Sequence, residues 1–443
     1  GSTENIFIGY EAGGGTWANA ASNYNIGIGN GVMDAAMNGA LNNVAMGWAA
    51  LSGLTTGDGN TSIGSQSGNS ITTGGGNSIL GYLAGDTMTT TSNTVLIGQS
   101  AGTAINSTDA NGTVAVGYAA LAALTEGVAN IAIGNNAGNE ISTGDNNTVI
   151  GFEAGSELKD DLNNTFLGAY AGYMVESNEN TFIGVEAGEG SSGNTTGAQN
   201  TSVGYRSMEA YTTANKNVAV GGSALQLNTT GAGNVHLGFR AGQYNTVGSN
   251  MVVIGAEAGR YATGSSNTFV GGNAGKGGTT SAPYSSGGSN TAVGYGAFDS
   301  FTTAAANVAV GDAALGALTS ATTNVAVGSQ AGADIAGSDA IENVIIGGYA
   351  GTGGSGNLKR TVAIGKGALN STAGNDNTGT IAIGYDALTA LTSGGGNLAL
   401  GYQAGAGVTT GTYNHFLGHE TGKVHTTGHS NIAIGYGAMD DTD

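Results

Sequence analysis

The chain contains no cysteine and a single proline, Pro283, in 443 residues. Without thiols there are no disulfides, no thiolate metal sites and no cysteine nucleophiles. Glycine is abundant at 85 residues, but so little proline and no Gly-X-Y period exclude collagen. Charged residues make up 9% of the chain, against about 25% in an average globular protein. Positive charge is scarcest: ten Lys and Arg stand against thirty Asp and Glu, a formal charge of −20. That balance argues against nucleic acid as a partner, which calls for a Lys/Arg footprint; its simplest role is solubility. No apolar run approaches a membrane span, so no membrane insertion is expected. The opening residues, Gly1-Ser2-Thr3-Glu4, carry no signal-peptide pattern.

What the chain has instead is repetition. The motif Asn-x-x-(aliphatic)-Gly-x-x-Ala runs from Asn5, Gly9 and Ala12, through Asn217, Gly221 and Ala224, to Asn431, Gly435 and Ala438. It occurs in 25 copies, most often 17 residues apart. The residue before the anchor glycine is aliphatic in all 25, the residue four before it is Asn in 20, and the residue three after it is Ala in 21. Five long spacings lie five steps apart: Gly9 to Gly29, Gly98 to Gly117, Gly184 to Gly204, Gly271 to Gly294 and Gly365 to Gly384. We read one continuous repeat array over 1–443, with super-repeats of about 1–93, 94–180, 181–267, 268–361 and 362–443.

A 17-residue unit is too short for a strand-helix repeat. It fits one coil of a solenoid with two short strands and two turns. The expected fold is all-β, a parallel β-solenoid or β-roll of about 25 coils, stacked ~4.8 Å apart into a rod of roughly 120 Å. The strand residues just before the anchor glycine, such as Val308-Ala309-Val310, are apolar on both faces. A strand apolar on both faces is buried on both, so one face is expected to meet another chain, with the middle residue, Ala309, on that second face. The Asn column suits a turn corner, where Asn adopts a left-handed backbone and its amide bonds to neighbours; stacked, these amides form a ladder.

The pattern Asn-Thr/Val-x-Ile-Gly-x-x-Ala-Gly, with Thr-Thr-Gly in the connecting loops, resembles repeats of bacteriophage tail-fibre-like proteins. It is also similar to the head repeats of trimeric autotransporter adhesins of the YadA type, though those coils run a few residues shorter. The resemblance covers essentially the whole chain. It implies a homotrimeric fibre that is extracellular, on a cell surface or on a virion.

Candidate sites are few. Aromatic residues follow the anchor glycine in 11 copies, including Tyr10, Trp48 and Tyr82; exposed rings of this kind stack on sugars, or else pack on the next coil. Glutamate follows one place later at Glu11, Glu153, Glu186, Glu257 and Glu420. Paired carboxylates serve glycoside hydrolysis, but no pair stands apart from the rest. His415, His419, His425 and His429 cluster in sequence, with a spacing that matches no metal-ligand motif. The long loops are the better place for binding, in particular Trp17 in the stretch from Gly14 to Ala18, and Pro283 and Tyr284 in the longest loop, Gly277 to Ser289.

The reading that follows is a structural or adhesive fibre segment: no enzyme, no cofactor, no metal. Its partners are further copies of itself, plus a cell-surface glycan or receptor. The competing readings are a tailspike-type polysaccharide depolymerase and an ice-binding solenoid. Joining Asp443 to Gly1 of a second copy keeps the 17-residue spacing between Gly435 and Gly9. This points to a piece of a longer array or to end-to-end stacking into a filament.

Overall fold

The computed structural model describes residues 2–17, 20–191, 195–353, 358–371 and 377–440; Ala18 of the first long loop lies outside them. The chain divides into two compact units, Gly1–Lys216 and Asn217–Asp443. The first carries strands β1 (Ile6–Ile8) to β12 (Thr201–Val203), and the second β13 (Val218–Val220) to β25 (Ile432–Ile434), each three residues long. Within each unit every strand pairs in parallel with the next, and equivalent repeat positions face each other: Thr148 lies against Thr165, and Val308 against Val325. The protein is an all-β parallel solenoid with one coil per repeat. One 3-10 turn, Thr108–Ala110, sits in the long segment between Gly98 and Gly117. Among the described residues no helix is long and apolar enough to cross a membrane.

The anchor glycine is fixed by the stacking itself. Gly311 has φ +133°, and a Cβ there would lie 2.4 Å from the carbonyl oxygen of Gly328 in the next coil. Its own N–H donates to Val293 O of the preceding coil at 2.8 Å. An L side chain meets both a backbone penalty and a collision with the adjacent backbone, which is why no copy departs from glycine.

Among the described residues each coil carries one strand where two were expected. After the strand the chain turns away at left-handed residues, as at Ala313 (φ 51°) and Leu315 (φ 49°). Among the described residues no second strand forms, only the isolated parallel bridges Val175–Thr195 and Ala262–Ser285. The rest of the coil is still tied to its neighbours through backbone hydrogen bonds. Thr319 O, for example, accepts from the N–H groups of Thr302, Thr303 and Ala304 at 2.7, 3.2 and 3.2 Å.

The two strand faces also trade roles relative to the expectation. The middle strand residue points into its own coil, and Ala309, Ala326, Phe166, Phe182 and Phe269 are completely buried within a single chain. Ala309 therefore has no route to a partner. The residues on either side of it point outward.

The core is filled by a size rule between two positions of each coil, the middle strand residue and the residue four after the anchor glycine. In eleven coils the middle residue is Phe, Ile, Leu, Val or His, and the second position is always Gly. In ten of the other fourteen the middle residue is Gly, Ala or Ser, and the second position is Met, Leu or Phe, as in Ala115 with Leu121 and Ala309 with Leu315. The last four pair a small residue with Gly, at Gly68, Gly138, Gly332 and Gly405. Their space is taken by the coils above and below and, at Gly68, Gly138 and Gly332, by an isoleucine of the same coil: a Cβ at Gly332 would lie 3.0 Å from Ile335, 3.0 Å from Leu315 and 3.2 Å from Ile345. Protein interiors tolerate neither voids nor overlap of a methylene or two, and a thin coil meets that demand by trading volume between two sites.

The Asn column forms the polar spine. Asn5 Oδ1 accepts the backbone N–H of Asn25 at 2.8 Å, Asn217 Oδ1 that of Asn234 at 3.0 Å, and Asn414 Oδ1 that of Asn431 at 3.0 Å. The Nδ2 group crosses the coil to a carbonyl, as from Asn217 to Gly231 O at 3.0 Å. The left-handed residue at this corner is the one before the Asn, such as Ala306 (φ 56°) or Thr323 (φ 61°), rather than the Asn itself. Ala12, Ala224 and Ala438 occupy the tight turn after the anchor glycine, where Ala224 N donates to Gly221 O at 3.1 Å.

Candidate functional site

Polar groups buried along the spine leave the outside of the strands to apolar side chains. The residue before the anchor glycine points outward in every strand and is Ile, Val, Leu or Met throughout. Its partner two residues earlier is Val, Ile, Leu, Thr, Ser or His. Ile63, Leu80, Ile97, Ile133 and Leu167 in the first unit, and Val293, Val327, Ile346 and Leu400 in the second, are all exposed. None of the 25 strands contains Asp, Glu, Lys or Arg. Each unit thus displays a long uncharged aliphatic face on a chain of charge −20. Contiguous exposed apolar surface of this kind marks an interaction site in soluble proteins.

The aromatic row beside this face is only partly free. Tyr10, Trp48 and Tyr82 are well exposed. Tyr385, Tyr402, His419 and Tyr436 stack ring on ring, with centroids 5.3, 4.8 and 5.3 Å apart and tilts of 10°, 16° and 20°. Inside such a column each ring's faces are covered by its neighbours. Trp17 is turned inward: its ring meets Phe7 edge-on at 5.7 Å and its Nε1 donates to Gly13 O at 3.0 Å, which covers the core of the first coil. Pro283 is exposed, and Tyr284 lies half-buried against Tyr244 and Tyr261.

The histidines near residue 420 do separate jobs. His415 is on the outward strand face, and His419 is in the ring column. His425 is buried beside Phe416, with its Nε2 3.2 Å from Asn431 Nδ2. His429 Nδ1 accepts from the backbone N–H of Thr412 at 3.1 Å. One group that sequence reasoning missed is Glu186, Glu189 and Glu209, whose carboxylate oxygens lie within 4.8 Å of one another. Arg206 pairs with Glu186 and lies 3.7 Å from Glu209. Burial, then the charges of Glu186 and Glu209, raises the Glu189 carboxyl above its usual range. A shallow groove of 540 Å³ lies between Thr378, Gly379, Gly394, Gly395, Gly396, Thr412 and Tyr413, residues that offer neither carboxylate, imidazole nor amine. No protein-family model matches this chain, and no curated protein is similar to it.

His236 is the middle residue of β14 (Val235–Leu237), completely buried, and neither ring nitrogen has a hydrogen-bond partner. Burial pushes its pKa down to about 3. The folded state therefore holds the neutral ring. This contribution is fully present above the unfolded value near 6.5 and is lost as pH falls from there towards 3, by about 1.4 kcal/mol per unit. His236→Leu is expected to flatten that part of the stability curve and to raise stability at pH 5, read by chemical denaturation across pH. Equal slopes in both proteins would contradict the assignment.

Proposed function

We propose that this protein is a structural segment of an extracellular or virion fibre, whose copies associate through the outward strand face, most simply as a homotrimer. The observation that carries the reading is the uncharged aliphatic ladder on a strongly acidic chain. Copies carrying the same negative charge repel each other elsewhere, so a neutral apolar face is where they meet at least electrostatic cost. A second copy also has the same axial repeat, so its ladder stays in register coil after coil. The threonine hydroxyls support a structural role over ice binding. Those of Thr55, Thr72, Thr302 and Thr392 donate to carbonyls of the next coil at 2.9 to 3.2 Å and are engaged in holding the stack. The carboxylates likewise favour a scaffold over a depolymerase: in the one cluster of three among the described residues, Glu186 and Glu209 are both drawn to Arg206.

Light scattering tests the association. The wild type is expected at three times the 43.0 kDa chain mass. The double variant Val293→Glu/Val327→Glu places two charges on the face and should run as a single chain with unchanged strand content, since an unpaired buried charge costs several kcal/mol. A wild type that runs as one chain, or a variant that assembles like it, refutes the proposal.

A further inference from the structure

Charge is divided unevenly along the sequence. Residues 217–298 hold Arg240, Arg260 and Lys276 against one acid, Glu257, a formal charge of +2. The rest of the chain holds seven cations and 29 acids, a charge of −22. The positive stretch also contains the longest spacing between anchor glycines, with Pro283 and Tyr284.

The second unit gathers these residues. Glu257 receives Lys276 Nζ at 3.0 Å, Arg260 Nη1 at 3.3 Å and Arg240 Nη1 at 3.7 Å. Three cations on successive coils share one carboxylate, so net positive charge is left over. Their side chains are held in place. Arg260 Nε donates to Gln243 Oε1 at 3.0 Å, and Gln243 Nε2 to Gln226 Oε1 at 2.8 Å. The Arg260 guanidinium lies 5.0 Å from the Tyr261 ring centre, and that of Arg240 lies 4.7 Å from Phe239. Beside them Tyr244 and Tyr261 stack at 5.1 Å, and Tyr284 reaches from the long loop to within 5.1 Å of Tyr244.

We propose that this ledge of Arg240, Lys276, Tyr244 and Tyr284 binds a linear acidic polysaccharide bearing carboxylates. Cations repeated at the coil spacing, ~4.8 Å, match a polymer lying along the stack better than a compact anion, which engages one or two of them. Arg and Lys supply charge-assisted hydrogen bonds to carboxylates. Tyr244 and Tyr284 are half-buried in their ring cluster, and present their hydroxyls to sugar oxygens and their free ring edges to sugar C–H groups. The proposal does not depend on association of copies through the strand face.

Isothermal titration of the whole protein with an oligogalacturonate, with a neutral maltooligosaccharide of equal length as control, tests it. The wild type is expected to bind the acidic sugar alone, and more weakly as salt rises. Arg240→Gln/Lys276→Gln should weaken binding about tenfold or more, a change of about 1.4 kcal/mol per decade. Tyr284→Ala should weaken it several-fold with the same salt dependence, and Lys359→Gln/Lys366→Gln, an equal charge change elsewhere, should leave it unchanged. Thermal melting confirms that each variant is folded. The proposal is overturned by no binding to the wild type, by equal loss in the Lys359/Lys366 control, or by equal affinity for inorganic phosphate or a single-stranded oligonucleotide.

Discussion

Gly275→Leu alone is expected to break the packing of its coil, and Phe269→Ala in the same chain to restore most of it. Gly275 sits four residues after its anchor glycine with φ +55°, and a Cβ there would lie 2.4 Å from the Phe269 ring. The leucine has nowhere to go, so the single variant carries an overpacking cost of about 1–3 kcal/mol or more. The left-handed backbone adds about 1–2 kcal/mol. Phe269→Ala alone empties a fully buried position and should cost about 3–5 kcal/mol. Together the two substitutions recreate the pairing already present at Ala309 and Leu315, where Leu315 has φ 49°. The double variant should therefore lie within about 2 kcal/mol of wild type, a coupling of about 3 kcal/mol or more, at or above the upper limit usual for contacting residues. Denaturant titration of the four proteins reads this out, and additive costs would show that the two sites do not share one volume.

Loss of one spine residue should be nearly as damaging. Asn307 Oδ1 accepts the N–H of Asn324 at 2.9 Å, and its Nδ2 donates to Ala321 O at 3.0 Å and Ala305 O at 3.1 Å. Its own N–H donates to Asn290 Oδ1 at 3.0 Å. Asn307→Ala keeps that last bond but orphans a buried N–H and removes the partner of a buried carbonyl. Each such group costs about 1–3 kcal/mol, so a loss of about 3 kcal/mol or more is expected. Asn307→Thr should cost less. Thr94 stands in the same column, where its N–H and Oγ1 both donate to Asn77 Oδ1, at 3.0 and 2.8 Å. Equal destabilisation by alanine and threonine would show that the hydroxyl contributes nothing at this corner.

The coil, its register and its parallel stacking were legible because the Asn, Gly and Ala columns each answer one geometric demand repeated every coil. The sidedness of the strand was not. Val308, Ala309 and Val310 are all apolar, and two-residue alternation identifies the two faces without saying which is inside. The information was present elsewhere, in the exchange of volume between residues such as Phe166 and Gly172 or Ala115 and Leu121, which marks both positions as neighbours in one core. The single strand per coil was hidden because left-handed Leu and Ala residues have no sequence signature comparable to glycine. Trp17 looked like a binding residue because it sits in a glycine-rich loop, yet Phe7 gives it an apolar surface to cover. The Glu186, Glu189 and Glu209 group joins two coils, and so appears only when the coils are superposed. The positive stretch around Glu257 needed no coordinates to find, only a count of charge along the chain, but its tyrosine ledge depends on how Tyr284 folds back.

The absence of cysteine permits a direct test of the central claim, that the outward strand face joins copies of the chain. Single cysteines are placed at Val327 on that face, at Ala326 inside the coil and at Ser338 on an exposed loop, and each protein is oxidised and run under denaturing conditions. The account predicts disulfide-linked chains for Val327→Cys, and none for Ala326→Cys or Ser338→Cys. Monomeric Val327→Cys, or cross-linking of Ser338→Cys to the same extent, would contradict it.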